Sequence, residues 1–167
     1  MKGVFLDFET LGPGDIDTNA LTQQLPELDY YDSSSPAEVR ERLQTAEVAL
    51  VNKICLDSEA LSAAPNLKLI CLAATGADNV DLAAAAERGI AVCNIRDYCT
   101  PSVVQHVFGL ILLLTLKLDD YRAQVSAGEW QKSTSFCLLT PPTRELRDKT
   151  LGLIGLGNLG RGVAAVG

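Results

Sequence analysis

The sequence predicts an α/β fold: a parallel sheet with helices over both faces, giving way to a helical arm and then to the opening of a second α/β unit. Three observations carry this expectation. Short apolar runs alternate with helix-like stretches up to residue 93, the pattern of parallel strands joined by crossover helices. The run LKLICLAA at 67–74 is almost continuously apolar and ends in a glycine turn, as a central strand buried on both faces does. Finally, TLGLIGLGNLG at 150–160 reads as a strand, a glycine-rich turn and the first turn of a helix.

Taken in order, residues 4–8 make a first strand with Asp7 near its end, and GPGD at 12–15 makes a turn. A short helix over 19–25 stops at Pro26, and 28–31 suits a second strand. In SPAEVRERLQTA, Ser35 stands as the N-cap, Pro36 takes the first helical position and Glu38 follows the cap by three, the signature of a capping box. Val39, Leu43 and Ala46 share one side of this helix, so it should lie against the sheet. Residues 48–51 are a third strand ending at Asn52 and Lys53, and Asp57 caps the helix SEALSAA. After the run at 67–74, DLAAAAERG is a helix stopped by Gly89, and 90–93 is a fifth strand. Asp7 and Asp81 stand at a strand end and a helix start, where an acid suits the helix dipole or a cap. From Thr100 and Pro101 a long helix runs to about Leu118 and a second covers 119–127. Residues 128–147 are loop-like, with Trp130, Phe136 and the Pro141–Pro142 pair.

A chain of 167 residues, 47% hydrophobic, can bury a core for one domain and part of another. Its formal charge of -7 argues against nucleic acid and against an anionic membrane surface. The most apolar stretch, VFGLILLLTL at 107–116, is about half the length of a membrane span. The N-terminus has acids within its first ten residues and too short an apolar run for a secretory signal, so the cytoplasm is the expected location. Five cysteines lie singly, with neither CxxC spacing nor a matching histidine cluster. Buried, reduced thiols are expected, and no metal site.

The glycine-rich turn has the spacing of a dinucleotide fingerprint. Gly155 allows the tight turn, Gly157 lets the backbone approach a pyrophosphate, and Gly160 lets the helix pack on its strand. Asn158 and Leu159 fill the variable positions, where backbone N–H groups at the helix start face the phosphates. The sequence stops at Gly167, and a nucleotide domain begun but not finished is expected.

Four segments, LKLICLAATGADNVDLAAAAERGIAVCN, YCTPSVVQHVFGLILLL, GEWQKS and ELRDKTLGLIGLGNLGRGVA, together resemble the N-terminal half of the NAD(P)-dependent D-2-hydroxyacid dehydrogenases. Within that family the chain looks most like the glycerate dehydrogenase (hydroxypyruvate or glyoxylate reductase) branch. The resemblance implies a flavodoxin-like parallel-sheet substrate domain over residues 1–97. Residues 98–167 would then be an inter-domain helix, a dimerisation arm and the truncated start of a Rossmann NAD(P)-binding domain, with the active site in the cleft between the domains. It implies that backbone amides at Thr75 and Gly76 hold a substrate carboxylate, although Gly76 can also be a plain turn former. It implies that Lys53 reaches the substrate's polar end, against the alternative of a solvated lysine. Val103 would touch the nicotinamide ring, or simply be core. His106, the only histidine, falls at a position that is structural in the family and is expected to be packed or at a hinge.

The arginine, carboxylate and histidine that run the family's hydride transfer would lie beyond Gly167, as would the acid that binds the adenosine ribose. The expectation is therefore the N-terminal part of an oxidoreductase moving a hydride between NAD or NADP and a small 2-oxo or 2-hydroxy acid such as hydroxypyruvate/glycerate or glyoxylate/glycolate. No catalytic residue lies on this chain, which alone would be inactive and would not hold the cofactor. The alternative is a non-enzymatic module that forms a homodimer through the long helix and the Trp130 arm.

Overall fold

The computed structural model describes residues 1–167, with every side chain except that of Pro13. It divides into two compact units, Met1–Arg96 and Asp97–Gly167.

The first unit is built on five parallel strands: β1 (Lys2–Phe5), β2 (Glu27–Tyr30), β3 (Val48–Val51), β4 (Leu69–Leu72) and β5 (Ala91–Cys93). They lie in the order β2-β1-β3-β4-β5, which is the flavodoxin-like order. Progress across the sheet reverses after β2, so the crossover point falls between β1 and β3. The helices α1 (Asn19–Gln24), α2 (Pro36–Leu43), α3 (Ser58–Ser62) and α4 (Leu82–Glu87) connect the strands.

Strand alternation sends side chains to two clusters. Val4, Leu6, Ala49, Val51, Ile70 and Leu72 face Val39 and Leu43 of α2, Ala60 and Leu61 of α3 and Ala85 of α4. On the other face Phe5, Val48 and Leu50 pack with Leu21 of α1, Leu25 and Tyr30. A Cβ on Gly3 would stand 2.3 Å from Leu25 Cδ2, so glycine is what lets the segment after α1 lie directly on β1.

The strand buried on both faces is β3, every residue of which is buried, and not the 67–74 run that was expected to hold that place. In β4 only alternate residues are fully buried, because the second cluster runs out there: Leu69, Cys71 and Ala73 are half-covered at its margin. The same margin leaves the cysteines less covered than expected. Cys55 and Cys93 are exposed, Cys71, Cys99 and Cys137 half-buried, and all five are free thiols.

Three helix starts follow the sequence reading. Ser35 Oγ accepts from Glu38 N–H (3.4 Å) while Glu38 Oε2 accepts from Ser35 N–H (2.7 Å), completing the capping box. Those bonds to Ser35, with Arg42 nearby, hold the Glu38 carboxyl below its usual range. Asp57 Oδ1 accepts from Ala60 N–H (2.8 Å) and Asp81 Oδ1 from Ala84 N–H (2.9 Å). Caps of this kind stabilise by about 1 kcal/mol each.

The second unit holds α5 (Thr100–Leu116), α6 (Leu118–Ser126), α7 (Glu129–Lys132) and α8 (Asn158–Val166). Lys117, at φ +54°, ends α5 and turns the chain into α6. No single helix among the described residues is long and apolar enough to cross a membrane. Gly162 brings α8 against α5, since a Cβ there would lie 2.8 Å from Thr100 Cγ2 and 2.9 Å from Val104 Cγ2. Residues 150–154, expected as a strand, form none. A strand needs a neighbour to take its backbone hydrogen bonds, and among the described residues the second unit offers none. Leu151, Leu153 and Ile154 are left exposed.

Ile70 lies at the centre of β4 with no exposed surface. Replacing it with alanine is expected to destabilise the first unit by about 2–5 kcal/mol in urea unfolding followed by circular dichroism; a loss under about 1 kcal/mol would mean that β4 is not packed as described.

Candidate functional site

At the carboxyl ends of β1 and β3, where the crossover point leaves a crevice, the polar atoms are arranged around Asp7. Its side chain is 2% exposed. Oδ1 accepts from Asn52 N–H (2.9 Å), and Oδ2 accepts from both Lys53 N–H (2.6 Å) and Ile54 N–H (2.9 Å). Asp7 therefore does not cap its own following turn, as its position had suggested. It ties the end of β1 to the loop after β3.

Asn52, also buried, donates from Nδ2 to Thr10 Oγ1 (2.9 Å), and Thr10 Oγ1 donates to Asp7 O (2.7 Å), which closes a ring. The backbone of Lys53 is thus held while its side chain is exposed. The Lys53 ammonium has no ion-pair or hydrogen-bond partner among the described residues.

The next loop is tied on in turn. Asn79 Nδ2 donates to Ile54 O (2.8 Å), Leu56 N–H donates to Asn79 O (2.7 Å), and Leu56 bridges Val80. Asn94, just past β5, donates from Nδ2 to Thr75 O (2.6 Å), and Ile95 N–H donates to Ala74 O (3.0 Å). Between these anchors Thr75 and Gly76 are exposed. The N–H groups of Thr75, Gly76 and Ala77 donate to nothing among the described residues. Gly76 is outside the left-handed region, and a Cβ there would meet only Asp78 Oδ2, at 3.6 Å. The fold itself does not require glycine at this position, so what the residue provides is open space over free N–H groups.

In the second unit the glycine turn is formed although the strand before it is not. Gly155 is left-handed at φ +92°, and a Cβ on Gly160 would stand 2.2 Å from Gly155 O, so both positions demand glycine. Gly157 is the N-cap residue of α8 and has nothing within 4 Å of a Cβ. A closed turn of bare backbone leading into a nine-residue helix fits the pyrophosphate of a dinucleotide, whose charge the free N–H groups and helix dipole favour.

Asn158 Nδ2 donates to the Asp97 carboxylate and its Oδ1 accepts from Arg161, which also donates to Leu156 O (3.2 Å). Leu159 is exposed and Val103, on α5, half-buried. His106 is exposed on α5 rather than packed, because the face of α5 that carries it has no covering element in its unit. Among the described residues no three His, Cys, Asp or Glu side chains converge to hold a metal.

The structure thus brings Lys53, Thr75 and Gly76 into one unit, and Val103, Gly155, Gly157, Asn158, Leu159 and Gly160 into the other. Sequence reasoning missed Thr10, Asn52, Asn79 and Asn94 as the residues that hold the loops, and Arg161 at the glycine turn. Asn52, Asn79 and Asn94 bind groups 19 to 42 positions away that no local pattern ties to them, whereas Arg161 and Thr10 also have partners within five residues.

Residues 8–156 match the D-isomer specific 2-hydroxyacid dehydrogenase catalytic domain. The chain belongs to this family. Among relatives of these 2-hydroxyacid dehydrogenases, the glycerate dehydrogenase of Methylorubrum extorquens is 42% identical over 165 residues, which are 98% of this chain and 51% of that protein. The D-lactate dehydrogenase of Aquifex aeolicus, solved with NAD and lactic acid, superposes with a TM-score of 0.75 at 28% identity, over 99% of this chain and 47% of that one. The NADPH-dependent glyoxylate/hydroxypyruvate reductase of Sinorhizobium meliloti, solved with citrate, gives a TM-score of 0.74 at 27% identity, over 99% and 49%. The chain spans about half the length of the relatives it matches.

Asp7→Ala removes the acceptor of three backbone N–H groups. Charge-assisted bonds contribute roughly 1.5–3 kcal/mol each and orphaned buried donors are costly, so a loss of about 3–5 kcal/mol is expected in equilibrium unfolding. A loss below about 1 kcal/mol would show that the three N–H groups find other partners.

Proposed function

We propose that this chain carries the substrate-binding half of an oxidoreductase that interconverts small 2-oxo and 2-hydroxy acids, of the hydroxypyruvate/glycerate and glyoxylate/glycolate kind, with NAD or NADP. The observation that carries the reading is the set of free N–H groups at Thr75, Gly76 and Ala77. They lie at the carboxyl end of β4, beside the loop on which Asp7 fixes Lys53. A substrate carboxylate would accept from the N–H groups of Thr75 and Gly76, and its negative charge and polar end would be met by the Lys53 ammonium. Membership of the family, and the activities of the similar Methylorubrum and Sinorhizobium proteins, support the choice of acid.

A bound NAD or NADP would supply or take the hydride. The residues to hold it are Gly155, Gly157, Asn158, Leu159 and Gly160 through their backbone at the pyrophosphate, with Val103 as an apolar contact for the ring. Reduction of a carbonyl also needs a proton at the oxygen, and we assign that step to no residue here: His106 is exposed on α5 without a carboxylate partner. The chain by itself is expected to bind the acid, not to turn it over, and to bind NADH no tighter than about millimolar, because the turn alone cannot bury the cofactor. Five free thiols favour the cytoplasm as its location.

A second reading, a non-enzymatic module that pairs with another copy, is favoured by the exposed Leu110, Leu112 and Leu114 of α5 and Leu118 and Val125 of α6. The two are separated by titrating the isotope-labelled chain with hydroxypyruvate. Saturable shifts confined to the amides of residues 75–77 and 53 are expected, and Gly76→Ala should abolish them while changing stability by no more than about 1 kcal/mol. Absence of those shifts in a chain that light scattering finds dimeric would overturn the first reading in favour of the second.

A further inference from the structure

Cys71 and Cys93 are register partners on β4 and β5, so their side chains stand on the same face of the sheet. Their Sγ atoms are 3.6 Å apart. No other pair of cysteine sulfurs is in hydrogen-bonding contact among the described residues. Cys93 is exposed and Cys71 half-buried at the margin of the Phe5 cluster. β5 is a three-residue edge strand paired only to β4, so little resists the closure from 3.6 Å to the roughly 2.05 Å of a sulfur–sulfur bond.

We propose that Cys71 and Cys93 form a reversible dithiol–disulfide pair, oxidised by peroxide, that staples β5 to β4. The exposed Cys93 sulfur attacks one oxygen of hydrogen peroxide, breaking the O–O bond and giving a sulfenic acid and one water. Cys71 Sγ then displaces the sulfenic oxygen, which leaves as a second water as the S–S bond forms. Two thiols and one peroxide become one disulfide and two waters, and two electrons pass from sulfur to oxygen. A dithiol reductant reverses the step by exchange.

The order of the two sulfurs follows from their surroundings. Burial, with the hydrogen bond and the charge of the Cys93 sulfur behind it, pushes the Cys71 thiol up to about 12, so Cys71 does not meet the oxidant as a thiolate. β5 runs directly into Asn94, whose side chain holds Thr75 O. The staple therefore also fixes the anchor of the 75–77 turn, a consequence that rests on the proposed carboxylate site, whereas the disulfide itself does not.

The test uses the full chain, treated with hydrogen peroxide, alkylated with iodoacetamide and digested with trypsin. Cleavage after Lys68, Arg88 and Arg96 separates Cys71, in 69–88, from Cys93, in 89–96. The expected result is that these two peptides are recovered linked, in preference to any other cysteine pairing, and released by dithiothreitol. Recovery of Cys71 alkylated with Cys93 as sulfinic acid, or linkage of Cys93 to Cys55, Cys99 or Cys137, would overturn the proposal. The exposed-site variant Cys93→Ser keeps the test sharp if Cys71→Ser fails to fold. In it Cys71 should stay unoxidised at the same peroxide dose, and its oxidation there would contradict the order of steps.

Discussion

A buried carboxylate that accepts three backbone N–H bonds holds the working end of this chain together. Moving a carboxylate out of water costs several kcal/mol unless it is fully paired, and Asp7 is paired by the amides of Asn52, Lys53 and Ile54. The location follows from topology. Between β1 and β3 the connections leave in opposite directions across the sheet, so no main chain crosses the crevice at their ends, and a side chain must bridge it.

From that bridge the order spreads by one residue at a time. Asn52 returns to Thr10 on the β1 side, and Asn79 ties the loop after β4 to the loop after β3. Asn94 ties the end of β5 to Thr75. Four of the five strand ends are linked in this way, with side-chain amides donating to the Thr10 hydroxyl and to the carbonyl oxygens of Ile54 and Thr75. The N–H groups at residues 75–77 are left over as the unspent donors of the system, beside a lysine whose backbone is fixed and whose ammonium is free. The proposed recognition of a carboxylate by this turn requires that the amides not move to meet the ligand, and the Asn94 tie to Thr75 O is what holds the turn.

Features specified within four or five residues were legible in the sequence: the caps at Ser35, Asp57 and Asp81, the tight turn at Gly155 and Gly160, and the long helix with Pro101 in its first turn, which starts at Thr100 after Cys99 rather than being capped by Thr100. What was not legible depends on partners far along the chain. Asp7 meets residues 45–47 positions away, where a local reading offered only a helix dipole or a cap, and its side chain makes no cap bond. An apolar run at 67–74 signals a buried strand, but which strand is covered on both faces depends on how far α1 and its cluster extend, and they favour β3 over β4. Residues 150–154 have strand composition and no neighbouring strand. The turn after them closes nonetheless, because its shape is set by the left-handed Gly155 and the close approach of Gly160, and both are local.

The most direct measurement is native-state amide hydrogen exchange at Asn52, Lys53 and Ile54. These lie in a loop next to an exposed lysine, where fast exchange is the ordinary expectation. If the Asp7 carboxylate holds them as described, the three amides exchange as slowly as Val51 within β3, through global unfolding of the first unit. Exchange at the rate of the free Gly76 amide would contradict the account.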